Sequence, residues 1–195
     1  MQDPLQFLEY IDETVKSHFL NLEEYKKTLS IFSFSYSQND DDSSSPLGNM
    51  PMWAHYADSF RGFCIKYDFK KLYKSLGKLN RCELGYAAVD YRQSPLVIKL
   101  SKDLVYDAVA YLKSIQVKHQ QWESERECRI VSGTHGLHTY DPEAIHSVFI
   151  GGKVNPQKRI ELINTISSVA PAAKLYDMRL SLGQSKYALT KVPVE

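Results

Sequence analysis

Cysteine, glycine, proline and excess charge of either sign are all scarce in this sequence of 195 residues. The three cysteines, Cys64, Cys82 and Cys128, cannot all pair, and none lies in a Cys-x-x-Cys motif. This favours free thiols in a reducing compartment over a disulfide framework. The 24 Lys and Arg residues against 23 Asp and Glu residues leave a net charge of +1. That balance argues against a strongly basic nucleic-acid binder, although a local basic patch stays compatible with it.

Signals of membrane insertion, of common nucleotide-binding turns and of metal binding are also missing. No apolar run reaches transmembrane length, and the N-terminus lacks the basic-then-apolar order of a signal peptide, which predicts a cytoplasmic protein with no membrane partner. Neither a Gly-x-Gly-x-x-Gly turn nor a P-loop occurs. His135 and His138 lie in a glycine-containing loop with no carboxylate or thiol pair of ligand spacing nearby, so no metal is expected.

What the sequence does contain is a mixture of helical and strand patterns that predicts one α+β domain over residues 1–195. Apolar residues at three- and four-residue steps predict an N-terminal helix within 1–27, and the polar stretch 37–49 predicts a mobile loop. Further helices are expected at 53–59, at 69–76 with Asp68 as cap and Gly77 as stop, after Ser101, and after Asn155-Pro156.

The strand patterns indicate a mixed or antiparallel sheet of about six strands with flanking helices, rather than a doubly wound parallel sheet. They fall at 28–36, 63–67, 84–91, 125–131, 147–150, 174–178 and 187–192.

The sharpest local pattern is Trp122-x-x-Glu125-x-Glu127-x-Arg129. On a strand, alternate residues face the same way, so Glu125, Glu127 and Arg129 are expected on one face with successive members roughly 7 Å apart. Two neighbouring carboxylates raise each other's pKa, whereas an arginine lowers it, so one glutamate could act as a base while the other stays ionised. The alternative is a solvent-facing strand with a simple Glu–Arg pair.

A second candidate region is the aromatic segment 53–68. His55 could bind a ligand hydroxyl or carry a proton, or it could be a structural histidine. Tyr56 could stack on a flat ring, and Trp53 could contact a ligand or anchor the core. We expect 53–68 and 122–129 to form one polar site.

These motifs together resemble the bacterial domain-of-unknown-function family 2971. The resemblance spans roughly residues 28–190 and implies no particular activity. Its matching residues are Ser33 and Ser35, then Trp53, His55, Tyr56, Ala57, Gly62, Phe63, Cys64, Ile65, Tyr67 and Asp68, then Lys118, Trp122, Glu125, Glu127, Arg129, Ile150 and Gly151.

A weaker resemblance is to ADP-ribosyltransferases, in which a serine strand, a His/Tyr element and a late Glu-x-Glu strand occur in the same order. It implies NAD as substrate, a protein or nucleic-acid acceptor, Glu127 as the catalytic carboxylate and Glu125 as the group that orients the acceptor. By the same resemblance Tyr56 stacks on nicotinamide, His55 contacts ribose, and Ser33 or Ser35 supports the site. The transferases carry their histidine and tyrosine on separate strands, whereas His55 and Tyr56 are adjacent.

Two other functions fit the same residues. The first is a non-catalytic module of a bacterial defence or toxin system, which would bind a nucleotide or a nucleic-acid end through Arg129, Lys118, Tyr56 and Trp53. The second is a hydrolase of a nucleotide-like ligand in which the glutamate pair activates water. Because Glu125 and Glu127 disfavour simple phosphate binding, an enzyme is the slightly better expectation. The oligomeric state is left open.

Overall fold

The computed structural model describes residues 27–37, 45–97, 113–182 and 187–194, with scattered positions between 12 and 25. The described positions from 12 to 27 are helical, and the remainder of the predicted N-terminal helix lies outside the described residues. Residues 38–44 of the predicted mobile loop and most of the helix expected after Ser101 lie outside them as well.

The described residues contain nine strands, three short 3-10 turns and three α-helices described from end to end, beside the helical positions within 12–27 and at 113–115, which confirms the α+β class. The strands are β1 (Ser30–Ser35), β2 (Phe63–Tyr67), β3 (Leu84–Ala88), β4 (Asp90–Arg92), β5 (Val117–His119), β6 (Glu127–Ser132), β7 (Ile145–Gly151), β8 (Lys174–Leu182) and β9 (Tyr187–Pro193). The helices are α1 (Met50–Tyr56), α2 (Phe69–Asn80) and α3 (Pro156–Val169), and the turns are Pro46–Gly48, Gln120–Glu125 and Pro142–Ala144.

The chain divides into two compact units, each built from two separated stretches. The first unit is Met1–Phe34 with Glu83–Gly136, and the second is Ser35–Cys82 with Leu137–Glu195. That residues 1–195 form one domain stays a prediction.

The first unit holds a three-stranded sheet in the order β1-β6-β3 and a separate two-stranded ribbon, β4-β5. Strands β3 and β6 are antiparallel, with Ala88 opposite Cys128, whereas β4 and β5 are parallel. Cys128 and Ile130 are buried on one face of β6, as their alternation with charged residues predicts. The predicted strand 84–91 is therefore two strands, which belong to different sheets.

The second unit is a four-stranded sheet in the order β2-β7-β8-β9, covered by its helices. Its strands alternate in direction except for the parallel pair β7 and β8, which α3 connects. One core cluster joins Trp53 and Ala57 to Phe149 and Met178. A second joins Val148 to Ile166 of α3.

The helix starts follow their local capping signals. The side chain of Asp68 accepts a hydrogen bond from the Lys71 amide, and the Asn155 side chain caps α3 before Pro156, as predicted. The predicted stop at Gly77 is wrong, because α2 continues to Asn80. The Asn80 side-chain amide donates to the carbonyls of Leu76 and Thr139, which stabilises the last turn of the helix. Arg81 then adopts the left-handed conformation that ends the helix.

The link between α1 and β2 has an unusual backbone. Asp58, Ser59 and Phe60 all have positive φ, at 44°, 52° and 71°. The link passes against the end of β7, where a Cβ on Gly151 would lie 2.3 Å from the Phe60 carbonyl oxygen. Only glycine permits the backbones to approach so closely at this position.

Within the part of the chain that the structure describes, no helix has both the length and the apolar character needed to cross a membrane.

Candidate functional site

Lys118 in β5 lies between the two glutamates that the sequence singles out. Its Nζ donates a hydrogen bond to Glu125 and another to Oε2 of Glu127, at 3.1 Å. Glu125 and Glu127 are 5% and 6% exposed. The two carboxylates therefore share one ammonium group in a largely desolvated position.

The two glutamates reach this position from different elements, which corrects the predicted strand 125–131. Glu125 ends the 3-10 turn Gln120–Glu125, and β6 begins only at Glu127. Between them Arg126 adopts a left-handed conformation, with φ of 47°. This kink, rather than strand alternation, brings the Glu125 side chain to Lys118.

Arg129 contacts Glu127 on the same face of β6, as the two-residue spacing predicts. Its Nε donates to Glu127 Oε1 at 2.7 Å and its Nη2 donates to Oε2 at 3.2 Å. The remaining Nη1 donates to the backbone carbonyl of Ile115. This bidentate contact fixes the orientation of the carboxylate plane and stabilises its negative charge.

Ser33 of β1 also donates its side-chain hydrogen bond to Glu127. We call Ser33, Lys118, Glu125, Glu127 and Arg129 the carboxylate cluster. All five belong to the first unit. The structure therefore brings together five of the nine residues predicted for the site.

Tyr91 is a further contact of the carboxylate cluster that sequence reasoning missed. Its hydroxyl accepts a hydrogen bond from the Glu127 backbone amide at 2.8 Å. The contact follows from the pairing of β3 with β6, which continues past Ala88 through the hydrogen bond from the Val89 amide to the Glu127 carbonyl. The sequence carries no local signal for that pairing. The abundance of tyrosine, 13 against 8 phenylalanines, was a general hint of hydroxyls with partners but not of this one.

The charges of the carboxylate cluster determine the ionisation of Glu127. Burial by itself raises the pKa of this carboxyl, but hydrogen bonds from Arg129, Ser33 and Lys118 outweigh burial and lower the pKa to about 2. The pKa of Lys118 is raised by the two carboxylates despite the opposing effect of burial. At neutral pH Glu127 is thus an anion and Lys118 a cation.

Trp122 provides an aromatic surface at the edge of the carboxylate cluster. The Lys118 Nζ lies 5.2 Å from the centroid of its ring, a cation–π distance, and Trp122 is 41% exposed. A flat ring system can therefore reach the indole from solvent while the lysine stays bound to the glutamates.

The other four predicted site residues lie in the second unit. Trp53 is 3% exposed, donates from Nε1 to the Leu47 carbonyl at 2.8 Å and stacks on Phe60, which favours the packing interpretation over contact with a cofactor. His55 and Tyr56 are exposed at the end of α1, and Ser35 ends β1. That segments 53–68 and 122–129 form one site stays a prediction.

Cys64 in β2 does not have the environment of a nucleophile. Burial raises the pKa of its thiol to about 11, so at neutral pH it is protonated.

The described residues contain no group of three or more His, Cys, Asp or Glu side chains that could hold a metal ion.

Residues 52–130 match the model of a family described as a protein of unknown function (DUF2971). The family predicted from the motifs is thereby confirmed over this segment, which contains every residue of the carboxylate cluster except Ser33. The match carries no activity with it, and the weaker resemblance to ADP-ribosyltransferases stays a prediction. No curated protein and no solved structure matches the chain.

Proposed function

We propose that this protein is a nucleotide-utilising enzyme of the bacterial cytoplasm that cleaves the N-glycosidic bond of NAD and transfers ADP-ribose to an acceptor. The observation that carries the proposal is the hydrogen bonding of Glu127, a buried carboxylate that accepts from Arg129, Lys118 and Ser33. These donors hold it as an anion and lower its pKa to about 2. An enzyme that stabilises an oxocarbenium-like transition state needs a fixed negative charge of this kind.

In the proposed reaction the bond between ribose C1′ and the nicotinamide nitrogen breaks. Its electron pair moves to the ring, so that nicotinamide leaves as a neutral molecule. The acceptor nucleophile forms the new bond to C1′ and releases a proton. Glu127 stabilises the positive charge that develops on the sugar. A ribose hydroxyl would replace Lys118 on Oε2 of Glu127, while Lys118 keeps its contact with Glu125.

The same geometry argues against hydrolysis through a glutamate base. A carboxylate with a pKa of about 2 is a weak base, whereas a general base works best with a pKa near the working pH. We therefore assign Glu127 an electrostatic role and do not assign it the activation of water.

The experiment compares wild-type protein with Glu127→Gln after incubation with labelled NAD and cell extract. We expect released nicotinamide and label on protein or nucleic acid with the wild type, and a loss of at least 100-fold with Glu127→Gln, because removing one group that stabilises transition-state charge costs a factor of this order. Absence of both products with the wild type contradicts the proposal.

Glu123→Gln is the matched control, since Glu123 is exposed in the same 3-10 turn as Glu125. It should retain full activity. Circular dichroism of each variant separates loss of chemistry from loss of fold, and Glu127→Asp, which keeps the charge, should retain more activity than Glu127→Gln.

A non-catalytic nucleotide-binding module is the second candidate, and the exposed ring of Trp122 favours it. The ring offers a stacking surface next to Lys118. Titration of NAD and of a single-stranded oligonucleotide against tryptophan fluorescence distinguishes the two functions. Binding that depends on Trp122 but survives Glu127→Gln, with no turnover by the wild type, would establish the module instead of the enzyme.

A further inference from the structure

The two-stranded ribbon β4-β5 presents two neighbouring residues, Tyr91 and Lys118, to Glu127. In its register Tyr91 pairs with Lys118, Asp90 with Val117 and Arg92 with His119. Residues that pair across parallel strands point to the same face. Tyr91 and Lys118 accordingly both contact Glu127, one at its backbone and the other at its carboxylate.

The opposite face of the ribbon has different surroundings. Asp90 and Arg92 form an ion pair there, with 2.6 Å between Nη2 and Oδ2. With Val117 they line a cavity of about 270 Å³. The side chains of the ribbon therefore divide between this cavity and the carboxylate cluster, as strand alternation requires.

Both backbone polar groups of Glu127 are hydrogen-bonded to β4 or to the residue just before it. The Val89 amide donates to the Glu127 carbonyl at 2.9 Å, and the Glu127 amide donates to the Tyr91 hydroxyl at 2.8 Å. The preceding residue, Arg126, is in the left-handed conformation, which non-glycine residues rarely adopt unless the surroundings hold them there.

We infer that Tyr91 is a positioning residue of the carboxylate cluster, which fixes the kink at Arg126 and thereby makes the Glu125 and Glu127 carboxylates converge on Lys118. This inference deepens the proposed function and rests on it for any catalytic meaning. The hydroxyl acts as a neutral acceptor, because burial raises the pKa of Tyr91 above its ordinary value.

The test is the substitution Tyr91→Phe in the full chain, followed by nuclear magnetic resonance without any nucleotide. We expect the Glu127 amide to exchange with solvent about tenfold faster, the factor that corresponds to one lost hydrogen bond. The carboxyl carbon of Glu127, identified by its absence in Glu127→Gln, should titrate at higher pH than in the wild type. An unchanged titration of the Glu127 carboxyl overturns the inference, whether or not the amide exchanges faster.

Tyr86→Phe is the matched control, because Tyr86 lies in β3 of the same unit and is 59% exposed. It should leave the Glu127 amide and carboxyl as they are in the wild type. If Tyr91→Phe does not fold, the unsubstituted protein still decides the question. Its Glu127 amide must exchange slowly and show a nuclear Overhauser contact with the Tyr91 ring, and the absence of either result overturns the inference.

The test of the Tyr91 positioning role can succeed or fail independently of the test for NAD cleavage. If NAD is cleaved, Tyr91→Phe should lower kcat with little change in KM, since Tyr91 does not touch the substrate. If NAD is not cleaved while the Glu127 titration still moves on Tyr91→Phe, the proposed reaction fails and the positioning role stands.

Discussion

At the scale of the residue, the physical chemistry of Glu127 is a competition between burial and hydrogen bonding. A carboxylate that is 6% exposed would ordinarily favour its neutral form. Here Arg129 donates twice and Lys118 once, so the ionised form is the one that the surroundings stabilise. Removing either cation would leave the carboxylate buried beside a single opposite charge, which is why the two must be considered together.

This competition predicts how stability depends on pH. The pKa of Glu127 is about 2 in the folded protein against an ordinary value of 4.5, so the unfolded chain takes up the proton first as the pH falls. The stability contributed by Glu127, about 3 kcal/mol at most, is therefore present above pH 4.5 and is lost as the pH falls towards 2. In urea unfolding experiments, the difference in free energy of unfolding between wild type and Glu127→Gln should become smaller as the pH falls from 4.5 to 2.

Every other carboxylate is common to the two proteins, so the informative quantity is the difference between their two curves of unfolding free energy against pH. Glu123→Gln should give a curve parallel to that of the wild type, because its side chain is exposed. A gap between wild type and Glu127→Gln that stays constant from pH 7 to pH 2 would contradict the lowered pKa.

The sequence could predict the contact of Glu127 with Arg129, since their spacing of two on a strand places them on one face. It could not predict how Glu125 reaches Lys118. One sign of the kink was present, because Arg126 put a charge on the otherwise apolar face that Cys128 and Ile130 share. Arg126 adopts a left-handed conformation before β6 begins, and its side chain is exposed rather than packed with Cys128 and Ile130.

At the scale of the element, the strand and helix starts that the sequence predicted have local causes. Strand β2 begins and ends at the predicted residues, and Asp68 and Asn155 cap their helices through their own side chains. The end of α2 has a distant cause, because Asn80 is tied to Thr139, 59 positions away. A stop signal such as Gly77 can be overridden by a contact of this kind, and no window of sequence contains it.

The end of β7 gives a prediction about the element as a whole. Gly151→Ala would place a methyl group 2.3 Å from the Phe60 carbonyl oxygen and 2.8 Å from that of Gly62. Both are backbone atoms, so relief requires the link before β2 to move. We expect a loss of about 3 kcal/mol in the free energy of unfolding, measured by urea denaturation.

Gly133→Ala is the control for Gly151→Ala, because a Cβ at Gly133 would meet nothing within 4 Å. It should change stability by no more than about 0.5 kcal/mol. Equal effects of the two substitutions would show that the close approach at Gly151 is not rigid.

At the scale of the whole molecule, each unit is assembled from stretches far apart in the chain. Strand β6 pairs with β1 and β3, and β7 pairs with β2 and β8. Local patterns predicted the class, since each strand and helix has its own periodicity. They could not predict which strands pair, because the choice depends on the packing of residues such as Phe149 and Ile166 in separate cores.

This assembly predicts that the segment with both motifs is not a folding unit by itself. A fragment of residues 52–130 contains β2 without β7 and α2 without the turn Pro142–Ala144 that it packs on, and it lacks β1 entirely. We expect it to give a far-ultraviolet circular dichroism spectrum of an unfolded chain and poorly dispersed amide resonances. The full chain should show dispersed resonances, and equal dispersion in the fragment would contradict the interleaved assembly.

The equal number of positive and negative side chains in the carboxylate cluster limits which substitutions can occur there during evolution. The formal charges of four side chains sum to zero: Lys118, Glu125, Glu127 and Arg129. Replacing one of them by a neutral residue leaves a partly buried charge without its partner, whereas replacing one cation and one anion together keeps the net charge at zero. Such pairs are not additive, since each member alters the cost of losing the other. In related sequences, substitutions at these four positions should therefore occur in pairs of opposite charge rather than singly.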